Sequence, residues 1–271
     1  MTAVKKVRAD SCILSFWLAG GLLVALIILA IATIAIPELL DPGHLISVAT
    51  ETGVISAILV TFTAGFVAVF ILLLLGSPLS YVLARSTSRW NGIVETIVDL
   101  PLALPHTVAG LMVYLLFMMR GPLGAPLYNI GIVFEDAFFG IVVAMIFVSI
   151  PYYVDAVREG ITRVPERLES VARTLGANRF QAIMTVTLPL SLRSIISGAF
   201  LAWGRAIGEF AAIVMIAYFP MVVSTLIYHR FTTGGLAESR SIAFIMLLIC
   251  LAVFLIFRSV SRGWGRIDDR S

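Results

Sequence analysis

Uncharged apolar runs long enough to cross a lipid bilayer are the feature that most constrains the fold of this chain. Residues 13–36 form 24 consecutive positions without a charged side chain. A helix needs about 20 mainly apolar residues to cross the hydrocarbon core. Only 13% of the 271 residues are charged, about half the share that is usual in soluble domains. The sequence therefore predicts an all-α integral membrane protein, because a helix satisfies its own backbone hydrogen bonds in lipid.

Six runs of this kind divide the chain. The predicted spans are residues 13–36, 54–75, 93–119, 137–154, 195–219 and 242–257. The basic residues before the first run suggest a secretory signal, but the run exceeds a typical signal core and no clear small-residue cleavage site follows it. We therefore expect a retained first helix and six transmembrane helices.

The distribution of basic residues predicts the orientation of these spans. If the N-terminus is inside, the cytoplasmic segments carry 15 of the 19 Lys and Arg residues, and the outer loops carry only Arg120, Arg230 and Arg240. Cytoplasmic loops of membrane proteins have such an excess of basic residues. We expect a multi-pass protein of the cell membrane, surrounded by lipid, with both termini in the cytoplasm. The net charge of +3 follows from this topology, and nucleic acid is not an expected partner.

The two cysteines predict neither a disulfide framework nor a metal site. Cys12 and Cys250 lie at or within predicted spans. Both are expected to be inert, small apolar residues.

Residues 165–189, between the fourth and fifth spans, are polar and regularly punctuated. Pro165 suits the start of a helix, and Gly176 suits a left-handed stop. Between them, apolar residues at i, i+3, i+4 and i+7 form one stripe: Leu168, Val171, Ala172 and Leu175. Asn178 and Gln181 then resemble a capping pair. The pattern predicts a helix, a tight turn and a second helix at the cytoplasmic surface.

Two interpretations of this segment are open from its residues alone. An amphipathic helix can rest on lipid headgroups. Alternatively, its apolar stripe can fit a groove on a partner protein. The spacing of the residues does not separate the two.

Two charged residues lie inside the fifth predicted span. Arg205 and Glu209 are at i and i+4, close enough to pair on one helix face. Both are expected to face the bundle interior or a wet cavity, because an unpaired charge in hydrocarbon is costly. Arg205 either gives an anionic substrate a favourable field along its path or forms a neutralised pair with Glu209 that orients the helix. We favour the neutralised pair.

Prolines interrupt the third predicted span. Pro101 and Pro105 remove backbone donors and free carbonyl groups near its middle. Such backbone is tolerated at that depth only where it is buried in protein or faces water. His106 and Thr107 stand at this break. We predict part of a transport pathway or its gate here, although a structural role in the interior is the better single interpretation of His106.

Small residues recur along the fifth span. Gly204 with Gly208, and Ala202 with Ala206, have the small-xxx-small spacing that lets helices approach closely. The spacing suits a dimer seam and tight packing within one bundle equally well.

The polar segment resembles a signature of binding-protein-dependent ABC importer permeases. That signature reads Glu-Ala-Ala, three residues, Gly, nine residues, Ile, one residue, Leu-Pro. The matching positions here are Ser170-Val171-Ala172, Gly176, Val186 and Leu188-Pro189, with Glu169 one residue before the usual acid. In the family this segment is a coupling helix that is seated on the ATPase subunit. The resemblance implies a type I ABC importer permease fold with an ATPase-coupling loop between helices 4 and 5: Glu169, Ser170, Val171, Ala172, Leu175, Gly176, Leu188 and Pro189.

Two further strings narrow the resemblance. Residues 99–110, DLPLALPHTVAG, and residues 204–231 are similar to the molybdate/tungstate permease branch, especially its archaeal members. The implied function is the membrane-spanning permease of an ATP-driven importer of molybdate or tungstate. Sulfate permeases have a string similar to residues 99–110, so a sulfate-type permease is the alternative.

The likeness runs from about residue 50 to the C-terminus and implies a division of the chain. Residues 1–49 are expected to hold the N-terminal segment, the first helix and an outer loop. Residues 50–260 are expected to form the permease core, and residues 261–271 a cytoplasmic tail.

ATP hydrolysis is expected on a separate subunit. A P-loop needs Gly-Lys before Ser or Thr, and the two lysines of this chain are Lys5 and Lys6. We expect a transport subunit and not an enzyme, without a cofactor of its own, whose partner ATPase uses ATP and Mg. The resemblance implies a homodimer that works with two ABC ATPase subunits and an extracytoplasmic oxyanion-binding protein.

Two functions of other classes stay open at this stage. His106, Arg205 and Glu209 are candidates for a proton relay in a secondary transporter. An intramembrane enzyme has less support, because the spans contain no nucleophile–base pair and no metal-ligand spacing.

Overall fold

The computed structural model describes residues 11–268, with side chains for residues 15–259. This part of the chain is all helical and contains no strand. Its helices are α1 (Ser11–Leu40), α2 (Pro42–Ala49), α3 (Thr52–Arg85), α4 (Asn91–Ala103), α5 (His106–Phe117), α6 (Gly124–Tyr128), α7 (Phe138–Thr162), α8 (Glu166–Thr174), α9 (Arg179–Ala182), α10 (Leu188–Ile207), α11 (Ala211–Ile216), α12 (Val223–Gly234) and α13 (Leu236–Asp268). A π-helical turn, Ile183–Thr187, joins α9 to α10.

Five helical stretches are long and apolar enough to cross a membrane. They lie in α1, α3, α7, the continuous stretch Arg179–Ile207, and α13. Helices α4 and α5 supply a sixth span when they are taken as one broken helix, which bends by 116°. The predicted all-α architecture with six transmembrane helices is confirmed.

The bend between α4 and α5 lies where the prolines predict a break. Pro101 is buried inside α4, and the chain leaves that helix after Ala103. Pro105 stands immediately before α5, which begins at His106. A proline at this position has no N–H to leave unsatisfied, and it disfavours helical backbone in the residue before it. Leu104 is accordingly extended, with ψ of 141°.

The fifth span differs from its predicted bounds. The sequence predicts residues 195–219, whereas the helical stretch begins at Arg179 and ends at Ile207. Gly208 and Glu209 follow its last turn, and α11 begins separately at Ala211. The sequence remains apolar on both sides of Glu209, so an apolar run alone does not reveal the break.

The segments predicted as outer loops contain short helices. Helices α2, α6 and α12 lie within residues 37–53, 120–136 and 220–241. The start of α2 has a clear local cause: Pro42 occupies its first turn, and Asp41 Oδ1 accepts a hydrogen bond from the His44 amide at 3.1 Å. The 8 residues of α2 and the 12 of α12 are too few to cross a bilayer.

Residues 55–226 form one compact unit. Its core consists of branched and small apolar side chains from α3, α5, α7 and α11, among them Ala64, Val113, Ile141, Met145 and Ile213. Helix α7 supplies many of the buried residues, so the other helices of this unit pack around it.

The described residues up to 54 and from 227 onward form a second compact unit. The carboxylate of Glu38 is buried there and accepts hydrogen bonds from Arg240 Nε and Ser241 Oγ, both at 2.7 Å. Arg230 contacts Glu51 at 2.5 Å and Glu238 at 3.3 Å. These pairs join α1, the segment between α2 and α3, and α12 with the start of α13.

Candidate functional site

The polar segment, residues 165–189, folds as its sequence predicts. Helix α8 begins at Glu166, directly after Pro165, and ends at Thr174. Gly176 has a φ of +101°, which only glycine adopts without strain. The amide of Ala177 then bonds to the Ala172 carbonyl at 3.1 Å, which closes the end of the helix.

A capping box opens the second helix of the segment. Asn178 Oδ1 accepts from the Gln181 amide at 2.8 Å, and Gln181 Oε1 accepts from the Asn178 amide at 2.9 Å. This reciprocal pair satisfies two donors at the start of α9. The predicted helix, turn and helix are therefore all present.

The Leu188-Pro189 pair coincides with a change of helix type. Pro189 has no amide donor, so the α-helical bond to the carbonyl four residues earlier cannot form. The five residues before Leu188 are π-helical, and the Leu188 amide bonds to the Ile183 carbonyl instead. The helix thus continues through Pro189.

The apolar stripe of α8 is exposed to solvent. Leu168, Val171 and Leu175 are 38%, 54% and 83% exposed, and α8 has no buried residue. Three exposed apolar side chains on one face of a short polar segment are the pattern that helix-in-groove contacts use.

Glu169 lies on a different side of α8 from this stripe, about 100° around the helix from Leu168. Its carboxylate accepts hydrogen bonds from Tyr81 Oη at 2.8 Å, Arg85 Nε at 2.9 Å and Thr187 Oγ1 at 2.7 Å. The side chains of Glu169 and Arg85 are 13% and 7% exposed. We call these four residues the Glu169 cluster. Tyr81 and Arg85 come from the end of α3, and Thr187 from the π-helical turn, so the cluster joins three elements.

The cluster determines the charge state of its carboxyl group. Burial alone would raise the pKa of Glu169, but hydrogen bonds from Thr187, Tyr81 and Arg85, together with the positive charge of Arg85, outweigh burial and lower it. Glu169 is therefore a carboxylate at neutral pH.

Ser170, which stands where the signature has Glu, lies on the exposed side. Its hydroxyl donates to the Glu166 carbonyl at 3.3 Å. It borders a polar recess of about 550 Å³ between α8 and α9, lined by Ser170, Arg173, Thr174, Ala177, Asn178 and Arg179. The two adjacent positions thus have different surroundings.

The second group of predicted residues meets at the breaks of the third and fifth spans. Arg205 is paired with Glu209, and its Nη2 lies 3.2 and 3.0 Å from the Nδ1 and Nε2 atoms of His106. Glu209 is only 2% exposed, whereas His106 is 47% exposed. We call these three residues the charged cluster. The predicted pairing of Arg205 with Glu209 is confirmed, and His106 joins it.

Glu209 also makes hydrogen bonds at the junction between α10 and α11. Its Oε1 accepts from the Ala212 amide at 2.7 Å, at the start of α11, and its carbonyl accepts from Ser224 Oγ at 2.7 Å. Thr107, next to His106, is exposed. The neutralised pair is therefore built into the junction of α10 and α11.

Sequence reasoning missed three partners of Glu169. Arg85 contributes to the topology prediction only as a cytoplasmic charge, and Tyr81 and Thr187 carry no motif. Tyr81 and Arg85 lie 88 and 84 residues from Glu169 in the chain. No local spacing can reveal such a contact.

These features define a class of protein: a multi-pass helical membrane protein with the permease fold of ABC importers. A crystal structure of "a bacterial ABC transporter involved in the import of the acidic polysaccharide alginate" is similar to the chain with a TM-score of 0.69 and 21% identity, covering 94% of this chain and 98% of that one. The predicted type I permease fold is confirmed.

The chain belongs to the family described as "Binding-protein-dependent transport system inner membrane component", which matches residues 76–266. It is 38% identical over 251 residues to "Molybdate/tungstate transport system permease protein WtpB" of Thermococcus kodakarensis, covering 93% of this chain and 96% of the relative. It is 32% identical over 220 residues to "Probable sulfate transport system permease protein cysT" of Anthoceros angustus, covering 80% and 76%. The chain is a transport component and not an enzyme, as the sequence predicts.

Proposed function

We propose that the chain is the membrane-spanning permease subunit of an ATP-driven importer of molybdate or tungstate. The name of the Thermococcus relative and its 38% identity over nearly the whole chain support this oxyanion. Sulfate has weaker support, because the sulfate-type relative is less similar and less fully covered.

The exposed apolar stripe of α8 is the observation that most supports coupling of this chain to an ATPase. Leu175 and Val171 stay uncovered on a helix whose ends are fixed by Pro165 and Gly176. In this proposal they insert into an apolar groove of an ABC ATPase subunit, which binds ATP and Mg. Of the two interpretations of the polar segment, lipid contact has less support, because the chain belongs to a family of transport-system membrane components and has the fold of an ABC importer permease, so an ATPase partner is expected on the cytoplasmic side.

The assembly that we propose contains two copies of this chain, two ATPase subunits and an extracytoplasmic binding protein. Gly204 supports a dimer seam: it is exposed, and a β-carbon there would meet no atom of the chain within 4 Å. The complementary small face, Ala202 and Ala206, is fully buried within the chain. The charge bias of the loops supports cytoplasmic termini.

The transport cycle follows from this assembly. Closure of the ATPase subunits on ATP draws the two α8 helices together and opens the cavity outward, and hydrolysis returns it inward. The binding protein delivers the oxyanion, so the pathway needs no tight site of its own. We assign Arg205 the structural role, because Glu209 neutralises it and also holds α11.

Reconstitution tests the function directly. Proteoliposomes containing the permease, its ATPase and its binding protein are expected to import molybdate or tungstate only with ATP, and excess sulfate is expected not to compete. Uptake that continues without the ATPase and collapses with the proton gradient would instead support a secondary transporter using the charged cluster.

The docking surface has its own test. Leu175→Asp places a charge on the exposed stripe and is expected to abolish co-purification of the ATPase while the permease still inserts. Glu159→Gln is the matched control, since Glu159 is 68% exposed and pairs with Arg163, one turn later at the end of α7. Normal ATPase binding by Leu175→Asp would refute the docking proposal.

A further inference from the structure

We propose that Glu169 is a positioning residue that ties α8 to the membrane helices and so transmits movement of the ATPase to them. The inference rests on the proposed docking of α8. In this proposal Glu169 contacts other helices of the permease and does not contact the ATPase.

The geometry places Glu169 on the inner side of α8. Successive residues of a helix point about 100° apart, and the side chains of Glu169 and Ser170 have different surroundings. Ser170 and Leu175 are exposed, whereas the Glu169 carboxylate meets three donors of the permease itself. Glu169 therefore does not take the place of the Glu that the signature has at the exposed position 170.

The donors come from two different membrane-spanning stretches. Tyr81 and Arg85 lie on the last turns of α3, and Thr187 lies in the stretch that runs on into α10. Thr187 and Glu169 both have little exposure. In this proposal a displacement of α8 is passed to α3 and α10 by the Glu169 carboxylate.

Arg85 strengthens the link at a second point. Its Nη2 donates to the Val164 carbonyl at 2.8 Å, just before α8, while its Nε bonds to Glu169. The guanidinium therefore holds both the approach to α8 and its first turns. Hydrogen bonds in which a partner is charged are about twice as strong as neutral ones. The contact between Arg85 and Glu169 is therefore expected to persist when α8 moves.

The contacts of the Glu169 cluster depend on the negative charge of Glu169. Glu169→Gln preserves the size of the side chain, but it replaces a charge-assisted acceptor of three bonds with a neutral amide. In the reconstituted complex we expect this variant to bind the ATPase normally and to hydrolyse ATP. We expect the molybdate imported per ATP hydrolysed to fall by about tenfold, the change that corresponds to losing one charge-assisted hydrogen bond.

Two further variants make the test decisive. Thr187→Val removes one of the three donors with little change in shape and is expected to lower the same ratio by a smaller factor. Glu159→Gln, at an exposed ion pair, is expected to leave the ratio unchanged. If Glu169→Gln does not insert into the membrane, the ratio measured for Thr187→Val decides.

Each result has one meaning. Loss of ATPase binding in Glu169→Gln, as in Leu175→Asp, would overturn the inference, because Glu169 would then belong to the docking surface. An unchanged ratio with normal binding would overturn it as well. Failure of Leu175→Asp to affect ATPase binding would refute the docking proposal independently of either result.

Discussion

Gly110 of α5 lies directly against the backbone of Ala212 in α11. A β-carbon at position 110 would lie 2.6 Å from the Ala212 Cα atom and 2.7 Å from its carbonyl oxygen. The amide of the same Ala212 bonds to the buried carboxylate of Glu209. The two breaks, after α4 and after α10, are therefore held together by one close backbone contact and one charged group.

This contact predicts the effect of a single methyl group. Gly110→Ala is expected to reduce the free energy of unfolding by about 1–3 kcal/mol, the usual effect of overpacking, because the obstacle is backbone that cannot rotate away. Gly92→Ala, in the first turn of α4, where a β-carbon meets nothing within 4 Å, is the control and is expected to be neutral or slightly stabilising, because alanine favours helix over glycine. Thermal unfolding of the purified proteins measures both, and equal melting temperatures would contradict the contact.

The charged cluster predicts an asymmetric response to mutation. Arg205→Met leaves Glu209, which is 2% exposed, as an unpaired buried carboxylate, and such a loss costs about 3–5 kcal/mol. Glu209→Gln is expected to cost less, because Arg205 is more exposed. The double variant is expected to recover most of the loss, because no unpaired charge remains.

Uptake measurements separate this structural role from a pathway role. If Arg205 attracts the oxyanion, Arg205→Met/Glu209→Gln will import poorly even though its stability is restored. Our assignment predicts near-normal uptake by the double variant once its stability recovers.

The sequence predicts best what local chemistry determines. The left-handed Gly176 and the Asn178–Gln181 capping box follow from rules that act within four residues, and both are present. The pairing of Arg205 with Glu209 follows from their spacing even though the helix ends between them. By contrast, the contact of Arg85 with Glu169 and the break after Ile207 depend on residues that are distant in the sequence, so no local sequence pattern predicts them.

Gly176 allows a matched test of backbone strain. Gly176→Ala places a side chain at a φ of +101° and is expected to weaken ATPase binding, because the left-handed form costs a non-glycine residue about 1–2 kcal/mol. Gly176→Pro, which also removes the amide donor, is expected to abolish binding without preventing membrane insertion.

Gly131→Ala is the control for this substitution. Gly131 has a similar φ of +86° and open surroundings, but it lies in the segment between α6 and α7. Its replacement is expected to produce comparable strain and unchanged ATPase binding, as judged by co-purification. Equal loss of binding in both alanine variants would assign the effect to general destabilisation.

The lowered pKa of Glu169 predicts a pH dependence. A carboxylate whose pKa is lower in the folded protein stabilises it fully above the unfolded pKa, about 4.3 for Glu, and this stabilisation is lost as the pH falls through the folded value. The difference in melting temperature between wild type and Glu169→Gln is therefore expected to be largest at pH 7 and to shrink below about pH 4. A difference that stays constant from pH 7 to pH 3 would show that the charge of Glu169 does not stabilise the fold.

The exposed face at Gly204 predicts a variant that separates folding from assembly. A β-carbon at position 204 meets no atom of its own chain within 4 Å. The melting temperature of the Gly204→Leu monomer is therefore expected to be unchanged or slightly raised, since leucine favours helix by up to about 1 kcal/mol over glycine. If two copies approach through this face, the added side chain will prevent close helix contact. Cross-linking and size measurements in detergent are then expected to show monomers where the wild type forms dimers. A dimer that persists in Gly204→Leu would place the seam elsewhere on the chain.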